Sequence, residues 1–545
     1  GDAATTASGS VFVGFHAGGT VTTGNRNIAI GYYAMNGAAT TGDNNIAIGA
    51  NAGDALTSGK ENILMGKDAG GVLATGVQNI AIGDSALDAA DGAEDYNIAI
   101  GNNALGTLNN DGAQYNIAIG IDSVAGGTAQ LLGVVAIGQV AGQSINSADA
   151  NYTVAVGYAA LRNNTSGIGN VAIGYQALYT AATSDYNIAI GENALYSVNS
   201  DGDGLNTAIG RAVGYYLTDG TSNTFLGVGA GTFNATGDNN TYLGTYAGYG
   251  VSGKNHTDCV FIGHKAGFTA YTGANNIAIG ANAMDDVNAD DTVGASTENI
   301  FIGKDAGGGT WVTAASNYNV AIGNLAMDAA MNGAADNVAV GQNSLGALVD
   351  GTNNTAVGYN SAVAIISGDS NTCIGKNAGD VITTGGTNTC IGYGTDPSAN
   401  SATNQTVLGQ GTTGVADNSV TLGNASVTAV YMAQDSGALV HCAGIQFPAT
   451  QVANAGANVL DDYEEGTWTP VLKDNGANAA TTNANGWTHG NYTKIGNKVF
   501  AQCTMNTSAF HGSTSGGDTV SIHGLPFTSG GSHLWPITIY GSQLA

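Results

Sequence analysis

Asn27-Ile28-Ala29-Ile30-Gly31 returns as the same five residues at Asn45–Gly49, Asn97–Gly101, Asn187–Gly191 and Asn276–Gly280. Looser copies fill the intervals. Their closing glycines run from Gly14 to Gly423, 24 copies in all. The commonest step is 17 residues, with insertions of one to six and a last step of 14. Self-similarity at a fixed short period is the signature of a stacked repeat, in which each unit is too small to bury its own apolar face.

The columns of this repeat decide the element type. Three positions before the glycine, every copy carries Ile, Val or Thr; one position before it, every copy carries Ile, Val, Leu or Met. β-branched residues suit a strand and resist a helix, and two positions spaced by two share one face of a strand. The glycine marks a bend that ends it. A 17-residue turn has a contour of roughly 56 Å at about 3.3 Å per residue, enough for two short strands and two bends. The chain is therefore expected to be all-β: residues 1–423 form a parallel β-solenoid or β-roll of about 23–24 rungs, a rod of roughly 110 Å at about 4.8 Å per rung. The Ile/Val pair is expected to fill it.

On that expectation, the position between the pair faces away from the interior. It is Ala in 14 copies, aromatic in five, and never charged. A strand apolar on both faces is buried on both. Phe12, Ala29, Ala47, Ala99, Phe225, Tyr242, Phe261, Phe301, Cys373 and Cys390 are thus expected to meet neighbouring copies in a homotrimer, a cyclic closed assembly.

Composition narrows the classes. Only 10% of the 545 residues are charged, yet 43% are hydrophobic, which excludes a disordered acidic tail. Twelve Lys and Arg against 40 Asp and Glu, a net charge of −28, leave no basic footprint for nucleic acid. No apolar run reaches about 18 residues, so no transmembrane helix is expected. Gly1 opens on no charged-then-apolar leader, so no signal peptide is expected. Five cysteines make no disulfide framework.

Proline removes a ladder donor. The first 396 residues contain none, and all five lie between Pro397 and Pro536. Three of four tryptophans, Trp468, Trp487 and Trp535, also lie late, and the 17-residue rhythm stops at Gly423. We place a neck and trimerisation segment at 424–460 and a small C-terminal β domain at 461–545. Runs such as Lys498–Cys503 and Thr519–Ile522 alternate as strands do.

Two resemblances attach here. The ladder, above all Asn418-Ser419-Val420-Thr421-Leu422-Gly423, resembles the β-roll heads of trimeric autotransporter adhesins, which implies three chains to a stack. Their repeat is near fourteen residues; here only the last step has that length. Residues 420–472, from VTLGNASVTAVYMAQ to DDYEEGTWTPVL, with GNYTKIGNKVFAQ (490–502) and IHGLPFTS (522–529), resemble the neck and distal domain of bacteriophage tail fibres. The resemblance implies a homotrimeric, virion-borne, extracellular fibre that carries a host-receptor-binding tip. Its implied partners are its own copies, other virion tail proteins and a host cell-surface glycan or protein. It implies no nucleic acid and no membrane insertion. Trp487 and Trp535 are the candidate receptor-binding residues.

Other chemistry is weaker. The column four before the glycine is Asn in 18 of 24 copies, and a stack of Asn side chains bonds to itself or to turn backbone. Asp285–Asp291 and Asp201–Asp203 are acid-rich but fit no EF-hand loop, and solvated loops explain them. Cys373 and Cys390 share a column on adjacent rungs, within reach of a disulfide, but small hydrophobes in an alanine slot explain them as well. Four late histidines (His489, His511, His523, His533) match no metal spacing. There is no nucleophile elbow, phosphate loop or HExxH, so no catalytic residue, cofactor or metal is expected. Asp461, Asp462, Glu464 and Glu465 keep a polysaccharide depolymerase tailspike as one alternative. A bacterial trimeric surface adhesin or extracellular fibril is another; it needs a membrane-anchoring barrel, which these residues do not contain. An ice-binding solenoid needs exposed threonine ranks, whereas Thr207, Thr224, Thr241 and Thr355 are placed in the inward column.

Overall fold

The computed structural model describes residues 6–37, 39–127, 129–269, 273–286, 296–311, 314–432, 463–474, 478–479, 489–495, 498–504 and 520–523. The chain divides into two compact units, Gly1–Val430 and Tyr431–Ala545. The first is a parallel β-solenoid of about 23 turns. Its strands run from Val11–Val13 to Ser419–Leu422, each pairing in parallel with the next copy. The register follows the sequence repeat: Ile28 opposite Ile46, Ala29 opposite Ala47, Ile30 opposite Ile48. The only helix among the described residues is the 3-10 turn Ala148–Ala150.

The ladder strands are three residues long, apart from the four-residue Gln405–Leu408 and Ser419–Leu422, because a bend closes each on both sides. On one side stands the motif glycine. Gly191 has φ 135°, and a Cβ there would lie 2.3 Å from the carbonyl oxygen of Gly210 one rung on. That backbone approach excludes every residue but glycine. On the other side, five positions before the glycine, the chain turns through the left-handed region: Arg26, Tyr96 and Glu298 have φ of 59°, 60° and 60°. Such a residue costs about 1–2 kcal/mol. A bond to the preceding rung offsets this, as where the Tyr96 amide donates to the Val77 carbonyl at 2.9 Å.

The interior contradicts the expected facing of the strand. In Ile98-Ala99-Ile100 the alanine is buried and both isoleucines are partly exposed. Ala29, Ala47, Ala99, Tyr242, Phe261, Phe301, Cys373 and Cys390 are all 0% exposed and Phe225 1%, within a single chain. Only Phe12, in the first rung, is half-buried. These ten residues fill the solenoid and are not available to a neighbouring copy. The physical reason is the bend at both ends. A three-residue strand between tight corners has room inside for one side chain, the middle one, and turns its two flanking side chains out. The sequence pattern allowed either facing.

The asparagine column forms internal ladders, broken only where Val134, Thr153 and Cys259 replace asparagine within it, and its self-bonding agrees with the expectation from its spacing. Asn45 donates its backbone N–H to Asn27 Oδ1 at 2.8 Å and its Nδ2 to the Gly59 carbonyl at 2.8 Å. Asn62 donates in turn to Asn45 Oδ1 at 3.0 Å. Every buried polar atom of such an asparagine is paired, which makes its burial affordable in a near-dry interior.

Among its described residues the second unit holds two antiparallel three-stranded sheets. Tyr463–Trp468 pairs with His489–Ile495, which pairs with Lys498–Thr504. Val471–Asp474 pairs with Asn478–Ala479 and with Val520–His523. Trp468 and Tyr492 are buried there.

Candidate interaction surface

The outward columns form one continuous surface. All 48 flanking positions, two on each of 24 strands, are Ile, Val, Leu, Met or Thr, and none is buried. Exposure runs from partial to 66% at Val420, with 55% at Val13, 36% at Ile30 and Ile82 and 43% at Leu226. Threonine occupies short ranks, Thr207, Thr224 and Thr241, then Thr355, Thr372, Thr389 and Thr406. These point outward too, not into the solenoid interior where the inward column was expected. The remaining 17 positions of that column are Ile or Val, so the surface is aliphatic rather than hydroxylic. A monomer's largest apolar patch is usually about 300–600 Å². Strands of three residues, about 10 Å long at about 4.8 Å spacing, make this one roughly 1,100 Å².

Aromatic residues edge the strand at both corners. Tyr96, Tyr115 and Tyr152 stand at the left-handed corner, and Tyr32, Tyr158 and Tyr175 just after the glycine, at 42–66% exposure. Tyr96 stacks on Tyr115 at 5.2 Å and Tyr158 on Tyr175 at 5.4 Å. A second stack, Tyr179, Tyr196 and Tyr215, lies further along the turn at 5.1 and 4.9 Å spacing. Arg162 Nη1 caps it with a 2.8 Å bond to Tyr179 Oη.

The other candidates separate. Cys373 lies opposite Cys390 on the next rung, and both are free, buried thiols. Their mutual contact, with burial, holds the Cys373 thiol well above its ordinary range. Cys259, which had no evident partner in the sequence, occupies the asparagine column and donates its N–H to Asn240 Oδ1 at 3.0 Å. Asp201 and Asp203 are exposed, while 287–291 lie outside the described residues. Trp487, Trp535, Asp461 and Asp462 also lie outside them, as do residues 433–460 of the neck and trimerisation segment placed at 424–460. Glu465, on the Tyr463–Trp468 strand, is exposed. Among the described residues, no group of three His, Cys, Asp or Glu could hold a metal ion, and no helix is long and apolar enough to cross a membrane.

No protein-family model matches this chain, and no curated protein matches it. The solenoid and its aliphatic face therefore carry the functional reading.

Proposed function

We propose that the chain is a structural and adhesive component of a virus: a trimeric tail fibre whose solenoid is the shaft and whose C-terminal unit carries the host-receptor-binding tip. The observation that carries this reading is the aliphatic face that runs the whole solenoid. A soluble chain that offers such a face over 24 rungs needs it covered along its full length, which suits a shaft built from several copies. The resemblance of residues 420–472, 490–502 and 522–529 to tail-fibre necks and distal domains supports the placement of the tip. The charge of −28 keeps assembled fibres apart in solution. The shaft works as a spacer, and stacked rungs make it stiff because each rung is bonded to both neighbours.

The test is immunogold labelling with an antibody raised against residues 6–423, applied to virus particles and cells from the material that carries the gene. Label on slender tail appendages is the expected result. Label confined to bacterial surfaces would favour the adhesin reading. Release of sugar from capsular polysaccharide by the purified chain, lost on Glu465→Gln, would favour the depolymerase.

A further inference from the structure

We propose that Tyr179, Tyr196 and Tyr215 form a site of oxidative cross-linking, at which a one-electron oxidant of the peroxidase class, fed by hydrogen peroxide, joins neighbouring rungs through dityrosine. The proposal is independent of the fibre reading.

The repeat builds the site. Arg162, Tyr179, Tyr196 and Tyr215 each stand five residues after a motif glycine, on four consecutive rungs. No other three consecutive rungs carry tyrosine in that column. Backbone bonds hold the column in register: the Thr180 amide donates to the Tyr196 carbonyl at 3.1 Å and the Ser197 amide to the Tyr215 carbonyl at 3.2 Å. The rings therefore meet face to face. Tyr179 and Tyr196 lie 5.1 Å apart with their planes within 1°, and Tyr196 and Tyr215 4.9 Å apart within 2°. All three are half-buried. With both faces covered by its neighbours, Tyr196 presents its edge to water.

Two further observations point to oxidation. Arg162 bonds Tyr179 Oη and lies over the same ring, its Cζ 5.9 Å from the centroid. Arginine only donates, so that bond persists when the phenol loses its own hydrogen. Within the solenoid the cysteines, Cys259, Cys373 and Cys390, are buried, and thiols so placed are inert. The surface phenols meet an oxidant first. Stacking alone does not ask for the hydroxyl: Phe233 stacks on Tyr216 and Phe268 on Tyr249 at similar spacing.

The step balances. Each of two tyrosines loses one electron and its phenolic proton, which leaves a phenoxyl radical with spin on the carbons ortho to oxygen. Two such radicals on adjacent rungs form a bond between ortho carbons, the rings turning out of their parallel stack on the water side. The hydrogen on each joined carbon then moves to oxygen and restores two phenols. Hydrogen peroxide takes up the two electrons and two protons and leaves as two waters. Neighbouring rungs hold the radicals together, so coupling within a chain outruns encounter between chains. Each link closes a loop, which constrains the unfolded chain as a disulfide does.

The experiment treats the full chain with a haem peroxidase and limiting hydrogen peroxide, cleaves it before aspartates and maps linked peptides by mass spectrometry. Tyr152 and Tyr318 are the controls. They are 66% and 51% exposed, but the same corner one rung either side holds Gly133 and Gly169, or Glu298 and Asp336. Links Tyr179–Tyr196 and Tyr196–Tyr215 within one chain should exceed any link from either control by about tenfold or more. Tyr196→Phe keeps the ring and removes the phenol. It should reduce both links to background while far-UV circular dichroism is unchanged. The linked chain should need more urea to unfold than the untreated chain. Links led by Tyr152 or Tyr318 would show that exposure and not stacking decides, and would overturn the proposal. So would dityrosine undiminished in Tyr196→Phe, or its absence from the ladder under conditions that couple free tyrosine.

Discussion

The Phe261 ring lies against Gly267, so closely that a Cβ on the glycine would come within 2.6 Å of ring carbons. The same position of the repeat reverses the arrangement elsewhere: Ala172 in the middle column goes with Leu178 in the glycine's place. Leu178 adopts φ 49° where Gly267 has 63°, so the backbone is shared and only volume is exchanged. Phe301 with Gly307, Tyr242 with Gly248 and Ala339 with Leu345 follow the rule, whereas Ala47 with Gly53, Ala136 with Gly142 and Ala208 with Gly214 pair two small residues. Phe261→Ala should cost about 3–5 kcal/mol by leaving a cavity. Adding Gly267→Leu should recover part of that, with a coupling of about 1–3 kcal/mol in a double-mutant cycle read by urea unfolding. Additive losses would show that the two positions do not share one space.

The glycine column makes a sharper demand. Gly191→Ala sets a Cβ against the Gly210 backbone, which no rotamer can relieve. A loss of about 3 kcal/mol or more is expected. Gly394, with φ 58° and nothing within 4 Å of its would-be Cβ, is the control. Gly394→Asn should stay within about 0.5 kcal/mol, since asparagine tolerates the left-handed region. Equal effects at both sites would contradict the stacking account.

The asparagine ladder is tested by removing one step. Asn223 Oδ1 accepts from Asn240 N–H and Nδ2, each at 3.0 Å, while its own Nδ2 donates to the Gly237 carbonyl at 2.9 Å. Asn223→Ala leaves buried groups unpaired and should cost about 2–4 kcal/mol. Hydrogen exchange at the amides of Asn223 and Asn240 should quicken more than at distant rungs such as Asn62. The chain's own interruption shows the strain of such a break: where Val134 and Thr153 replace asparagine, Thr153 Oγ1 is buried without a partner.

Acid should stabilise the solenoid over a defined window. Burial, then the neighbouring Asp380, pushes the Asp396 carboxyl up to about 6. Burial and nearby acids likewise raise Asp285 and Asp328 to about 6. A carboxyl raised on folding favours the folded state when protonated, so its contribution is present below about 4 and lost as pH rises through about 6. The thermal midpoint should therefore rise as pH falls from 7 towards 4.5. It should fall again in stronger acid, as Asp68, held low by bonds from Lys67 and Asn51, is protonated. Asp396→Asn should raise the midpoint at pH 7 and flatten the climb. A midpoint that falls steadily from pH 7 to 4.5 would contradict this.

Much of the fold was legible in the residues. The period, the strand, its parallel register and the asparagine ladder all follow from columns that recur at one spacing. The facing of the strand did not, because Ile-Ala-Ile is apolar on both sides and hydrophobicity alone suggests that the larger side chains go in. The exchange between Phe261 and Gly267, and between Ala172 and Leu178, is the signal that settles it. Two columns that trade volume within single copies must meet in the same closed space, so the middle position points inward. The outward face was then misplaced for the same reason, although its residue types were all in view.

The mass of the intact chain in solution, measured by light scattering at neutral pH and moderate salt, tests the assembly most directly. Three times the chain mass of 54.0 kDa is the predicted value. A stable particle of one chain mass, with the Ile98 and Ile100 face open to water, would contradict it.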